Sequence, residues 1–231
     1  MNPISFIITS PYYDSGMKSL GSKSIYTIKK NTILERQYSA IKKSCKNITH
    51  EIILVNNVDH NKTVKHIQNK KLDLKYVHLN KNNVNHAGCF LKGLELAKYQ
   101  TVFNIECGLI MTHFAIADTI KNNKNCDINI CCVGNRHKQN TDLQIGCITQ
   151  NDNVSNVFFG LENKHIGINC INAKAKSFII ENFSIHKDKN KYVFEIINSC
   201  ISQNLICKKT DIKSKDAYLV FNKKSLQQYT G

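Results

Sequence analysis

Residues 75–105 read KYVHLNKNNVNHAGCFLKGLELAKYQTVFNI. Lys75–Leu79 (KYVHL) is a short β-rich run. His86–Lys98 sets Phe90, Leu91, Leu94 and Ala97 on one helical face, with Gly88 near its start. Thr101–Ile105 (TVFNI) is strand-like again. Strand, helix and strand in succession form a βαβ unit, whose two strands lie parallel through a right-handed crossover.

The same alternation extends outward. Upstream, Ile4–Thr9 (ISFIIT) ends at Pro11 and reads as a buried first strand. Thr32–Ser44 has helical spacing, and Thr32 with Glu35 three residues on makes a capping box. Glu51–Val55 (EIILV) is a second buried strand, and Val64–Gln68 is helical. Beyond Asp118 the texture changes. Asp127–Gly134, Leu143–Gln150, Val157–Gly160 and Ile166–Asn172 read as short strands. Ala173–Phe183 and Tyr192–Gln203 read as helices, Ala217–Phe221 as a last strand, and Leu226–Tyr229 as a tail. The expected architecture is α/β, a three-layer α/β/α arrangement around a mainly parallel sheet. Neither an internal repeat nor a Pro/Gly/Ser linker interrupts it, so residues 1–231 are expected to form a single domain.

Composition narrows the function classes. A chain of 231 residues can bury roughly 70–75 % of its unfolded surface. No apolar run approaches the roughly 20 residues needed to cross a membrane, and Met1–Ser10 has neither the basic start nor the cleavage site of a signal peptide. Cytoplasmic localisation without a membrane partner is the expectation. The ten cysteines lie mostly within apolar stretches and contain no C-x-x-C pair, so they read as small buried hydrophobes rather than as a disulfide or metal framework. Net charge is +15, yet Arg36 and Arg136 are the only arginines. Lysines spread along the whole chain argue for solvated faces or general anion attraction rather than nucleic-acid readout. Nine histidines make no H-x-x-x-H pair, and His50, His60, His66, His78 and His86 read as surface or satisfied core residues. No G-x-S-x-G elbow is present.

In a doubly wound sheet the ligand sits beyond the C-terminal strand ends. That selects residues 9–23, 56–60, 79–86 and 106–110. Within the first of these begins Met17–Gln37, MKSLGSKSIYTIKKNTILERQ. It resembles the nucleotidyltransferase (nucleotide-sugar pyrophosphorylase) pattern, in which a Gly-rich, Arg-containing loop leads to a Pro-Lys-x-Leu step and a Gly-Lys-x-Leu-Leu-Glu helix start. The resemblance is nearest to a divergent branch carried by large tailed bacteriophages, with Lys18, Ser19, Gly21, Lys23, Ser24 and Gln37 at matching positions. It continues through EIILV, Asn85–Leu94 and Thr101–Met111.

The resemblance implies a nucleotide-diphospho-sugar transferase-like fold of GT-A type. Residues 1–120 would be the nucleotide-binding half and residues 121–231 the acceptor side. An NTP or nucleotide-sugar would bind at the first loop, through Ser10, Tyr12, Ser15, Gly16 and Lys18. A sugar phosphate would attack the α-phosphorus and release pyrophosphate with Mg²⁺ or Mn²⁺. Lys23 would contact phosphates, and Glu106 would act in catalysis and as the metal ligand.

The decisive positions depart from that pattern. Pro11 and Tyr13 replace the glycines that let backbone approach phosphate, the loop arginine is lost, and Asp14 adds a negative charge. Gly108 and Phe221 stand where the metal-binding aspartates belong. Asp118, Asp142 and Glu162 are the carboxylates that could compensate from elsewhere. Two readings of the resemblance follow: a weak nucleotidyltransferase, or a catalytically silent relative kept for binding or assembly with protein partners. A third is a glycosyltransferase using a nucleotide-sugar donor. It rests on the likeness of HLNKNNVNHAGCFLKGLELAK to the family-two stretch N-x-G-x-A-x-A-R-N-x-G-L-x-x-A. That register lays Asn104-Ile105-Glu106 on the Asp-x-Asp motif.

Overall fold

The computed structural model describes residues 2–11, 22–80, 84–133, 144–151, 153–220 and 229. Strand β1 (Ile4–Ser10) is buried along its whole length. One 3₁₀ turn (Lys23–Ile25) precedes the short ribbon of β2 (Thr27–Ile28) and β3 (Asn31–Thr32). Helix α1 (Ile33–Ser44) then starts with the capping box read from the sequence. Glu35 N–H donates to Thr32 Oγ1 at 3.2 Å, and Thr32 N–H donates to a Glu35 carboxylate oxygen at 2.8 Å. After it come β4 (His50–Asn56), α2 (His60–Asn69), β5 (Lys75–His78), α3 (His86–Leu96) and β6 (Thr101–Glu106). Asn85 caps α3, its Oδ1 accepting from the Ala87 and Gly88 amides.

The second half runs β7 (Leu109–Met111), α4 (His113–Asn122), β8 (Ile128–Val133), β9 (Ile145–Gln150), β10 (Asn153–Phe159) and β11 (Asn163–Ile171). It closes with α5 (Ala173–Asn182), α6 (Ile185–Asp188), α7 (Val193–Ser202), β12 (Cys207–Asp211) and β13 (Ala217–Leu219). Helix α4 and strand β12 were not foreseen. Strand β10 starts four residues earlier than its sequence reading at Val157, because Asn151 takes a left-handed φ of 49° and turns β9 directly into it.

One nine-stranded sheet takes strands from both halves, in the order β5-β4-β1-β6-β11-β8-β12-β10-β9. The first four are parallel, as the alternating pattern requires. Strand β11 enters antiparallel between β6 and β8, and the β9–β10 hairpin curls until β9 also pairs with β11. Side chains alternate between two cores. Ile7 faces α3, α5 and α7, whereas Phe6 and Ile8 face α1 and α4. These are the three expected layers. Helix α3 lies so close to β1 that a Cβ at Gly93 would fall 2.4 Å from Ile7 Cγ2. All ten cysteines are free, and only Cys126 is not fully buried. No helix among the described residues is long and apolar enough to cross a membrane.

Candidate functional site

Strands β1 and β6 are parallel neighbours, with Thr9 opposite Glu106, so their C-terminal ends form one rim. Three features gather there. Lys23 reaches in from the 3₁₀ turn, and its Nζ donates to the Val220 carbonyl at 2.9 Å. His86 stands on the first turn of α3, with Nδ1 3.2 Å from Thr9 Oγ1. That hydroxyl also donates to the Ile105 carbonyl at 3.4 Å, so it accepts from Nδ1–H and leaves Nε2 as the acceptor. Gln37 fixes the turn that follows, its amide donating to the carbonyls of Glu106 and Leu109 at 2.8 Å each. Ser10, Ser22 and Ser24 form a hydroxyl chain beside them, with oxygen separations of 3.1 and 2.7 Å. Asp59 holds the chain by accepting from Ser22 N–H at 2.8 Å.

Burial and a few charges set the protonation states. Burial pushes the Lys23 ammonium below the usual lysine range, while Cys107 and Glu106 pull it back. Burial raises the Glu106 carboxyl, and Lys23 opposes it. Burial, then the Lys23 charge, drives His86 down to about 3, so the ring is neutral at pH 7. Cys107 is a buried thiol held up by desolvation.

From this rim an apolar cleft of about 190 Å³ runs over the α7 face of the sheet. Ile130, Glu106 and Asn169 are strand residues of its floor, Val157 and Phe159 come from β10, and Phe194 and Ile197 come from α7. A bulge in β11 shapes it. Register shifts between His165 and Asn169, and Gly167 takes φ +80°, where a Cβ would lie 3.0 Å from Glu106 Cβ. Only glycine adopts that conformation cheaply and leaves the Glu106 side chain its place. His165 lies in the bulge, buried and neutral, its pKa lowered to about 4 by desolvation.

The structure thus brings Ser10, Lys23 and Glu106 to one place, while Tyr12, Ser15, Gly16 and Lys18 lie outside the described residues. Sequence reasoning missed His86 and His165 as site residues, along with Asn169 and Gly167. The one available signal was the position of His86 directly after the Asn85 helix cap, in the segment that follows β5. Asp118 sits on α4, on the opposite face of the sheet. Glu162 is exposed in the turn before β11, and Asp142 and Phe221 are outside the described residues.

The Mg²⁺ or Mn²⁺ that the resemblance implies does not fit these residues. Among the described residues, no group of three or more His, Cys, Asp or Glu could hold an ion. A Cβ at Gly108 would lie 2.6 Å from the Val220 carbonyl oxygen and 3.5 Å from Lys23 Nζ. Backbone and an ammonium therefore fill the space a carboxylate would need there. Glu106 is one carboxylate within electrostatic reach of that ammonium, and a nearby positive charge disfavours a second, divalent one.

The chain has the nucleotidyltransferase fold. It superposes on the inositol-1-phosphate CTP transferase of T. maritima with a TM-score of 0.77 and 11 % identity, covering 96 % of this chain and 90 % of that one. A putative glucose-1-phosphate thymidylyltransferase of Bacillus anthracis gives 0.77 and 11 %, over 97 % and 93 % of the two chains. The CTP:phosphocholine cytidylyltransferase of Streptococcus pneumoniae gives 0.74 and 12 %, over 99 % and 97 %. No protein-family model matches the sequence, and no curated protein matches it by sequence.

Proposed function

We propose that the chain is a divergent nucleotidyltransferase-like protein that binds a nucleotide at the β1–β6 rim and uses Lys23, in place of a divalent ion, to offset phosphate charge. The observation that carries this reading is the Lys23 ammonium, fixed at the end of β6 by the Val220 carbonyl, beside the glycine where a metal-binding carboxylate cannot be built. The solved structures on which it superposes are described as CTP and thymidylyl transferases, which supports a nucleotide over other anions. Glu106 is the only carboxylate among the described residues lining the cleft. Its raised pKa suits it to accept a hydrogen bond or a proton from whatever occupies the acceptor side. In a transfer, an acceptor oxygen would bond to the α-phosphorus of an NTP as the α–β bridging bond breaks and pyrophosphate leaves. With one lysine to stabilise that charge, nucleotide binding is retained and transfer is at most slow. The glycosyltransferase reading is the weaker one. Asn104 is buried within β6 with neither amide atom partnered, so Asn104-Ile105-Glu106 offers one group at the strand end instead of two.

Thermal unfolding with a panel of NTPs and nucleotide-sugars, in EDTA and in Mg²⁺, tests this. A nucleotide at a hundred times its dissociation constant adds about 2.7 kcal/mol. The expected stabilisation is as large in EDTA as in Mg²⁺ and is lost in Lys23→Met. Stabilisation by no nucleotide, or only with Mg²⁺, overturns the proposal. Pyrophosphate release measured in parallel reports any transfer.

A further inference from the structure

The acceptor side of this site differs in chemistry from its phosphate side. Nine of the residues lining the cleft are Ile, Val, Leu, Phe or Tyr, and among the described lining residues there is no lysine or arginine. A phosphate dianion would lose its hydration there without a cation in exchange, and a sugar ring would bury several hydroxyls with few partners. The polar groups present are specific. Asn169 is 1 % exposed, lines the cleft floor, and its Oδ1 has no hydrogen-bond partner. The His165 ring lies beside that amide and feels it, but no hydrogen bond of acceptable geometry reaches the oxygen. Its cross-strand neighbour Asn104, on the same face of the sheet, is likewise 1 % exposed and has both amide atoms unpartnered. Buried amides without partners are rare in folded proteins, and each asks for an occupant that completes it. Of the residues lining the cleft, Asn169 Oδ1 and the Glu106 carboxylate are acceptors, and a ligand that meets them brings a donor. A cationic donor would find that one carboxylate already opposed by the Lys23 ammonium, so the donor is uncharged.

We propose that the cleft binds a small uncharged molecule with an apolar, ring-sized body and a hydroxyl head that donates to Asn169 Oδ1 or Glu106: a phenol or apolar alcohol in place of a sugar phosphate. A cavity of about 150 Å³ with apolar walls suffices for a benzene ring, and this one is about 190 Å³. That the occupant is the acceptor rests on the nucleotide reading above. The binding itself does not, because it is measured without nucleotide.

Calorimetric titration with p-cresol, toluene, benzoate and glucose 1-phosphate tests it. The expected result is saturable p-cresol binding, with benzoate and glucose 1-phosphate at least about tenfold weaker, as an unpaired buried charge or polyol requires. In Asn169→Leu, toluene binding should persist while p-cresol loses about fivefold to tenfold, the worth of one hydrogen bond. If Asn169→Leu does not fold, the ligand order on the wild-type protein decides alone. Glucose 1-phosphate or benzoate binding as tightly as p-cresol, or no p-cresol binding, overturns the proposal. Loss of p-cresol binding with nucleotide binding intact removes this inference and leaves the nucleotide reading standing; the reverse result does the opposite.

Discussion

Protonating His165 should destabilise this protein, and the size of the effect follows from its surroundings. Gly167 N–H donates to its Nδ1 at 3.4 Å, and its Nε2 lies 3.3 Å from the Ile168 carbonyl. A ring that accepts at Nδ1 donates at Nε2, which is the neutral form. A second proton would point at the Gly167 N–H and place a charge among apolar neighbours. The folded-state pKa is accordingly about 4, against 6.5 when free. A depressed histidine pKa means that the unfolded chain binds the proton more readily. Stability from this group is therefore full above 6.5 and declines as pH falls toward 4. Between pH 7 and pH 5 the loss works out to about 2 kcal/mol for one such group. His86 acts with the same sign and Glu106 with the opposite one, so the comparison must be made against a variant that keeps both. Urea unfolding followed by circular dichroism at the two pH values, on wild type and His165→Gln, isolates the contribution of His165. The wild type should lose about 2 kcal/mol more than the variant. Equal losses in the two proteins would refute the reasoning.

Three further outcomes are expected. Gly167→Ala forces a side chain into a left-handed conformation, so chemical denaturation should show a loss of at least about 1–2 kcal/mol. Because the new Cβ meets Glu106, the substitution should also weaken any ligand that contacts that carboxylate. Thr32→Ala removes one half of the α1 capping box and should cost about 1 kcal/mol by the same assay, with no change in nucleotide-induced stabilisation. Of the ten thiols, Cys126 alone is partly exposed; a thiol reagent should label one cysteine quickly in the native protein and all ten after unfolding.

The parallel half of the fold was legible because its strands are covered on both faces. Ile4–Ser10 and Ile52–Asn56 are buried throughout, and both stretches are mostly apolar in sequence. The capping box of α1 was legible because its two members are three residues apart and need nothing from the rest of the chain. Strand β12, CKKTD, was not. Its lysines are half-buried, and Lys209 is held by Asp211 at 2.9 Å, so tertiary pairing with β8 overrides a polar composition. Helix α4 was hidden by its short apolar stripe of Ala115, Ile116 and Thr119, with Phe114 exposed. At the site, Lys23 and Glu106 could be named from the chain because the resemblance to nucleotidyltransferases falls on the segments that follow β1 and end β6. His165, Asn169 and Gly167 could not, since a bulge in an antiparallel strand inserted beside β6 brings them there, and nothing in their spacing announces it.

The bond from Lys23 to Val220 joins residues 197 positions apart, and β13 pairs back onto β7 across little more than half that span. During synthesis, the parallel strands β1, β4, β5 and β6 can assemble while most of the second half has yet to emerge. The Lys23 anchor waits for nearly the last residues described. A nascent chain would thus present its strand ends before it owns a working site, and ligand recognition would begin only once Val220 has emerged. The late segment serves as a completion check: a chain cut short before Val220 could keep much of its sheet and helices, yet Lys23 would have lost the carbonyl that aims it.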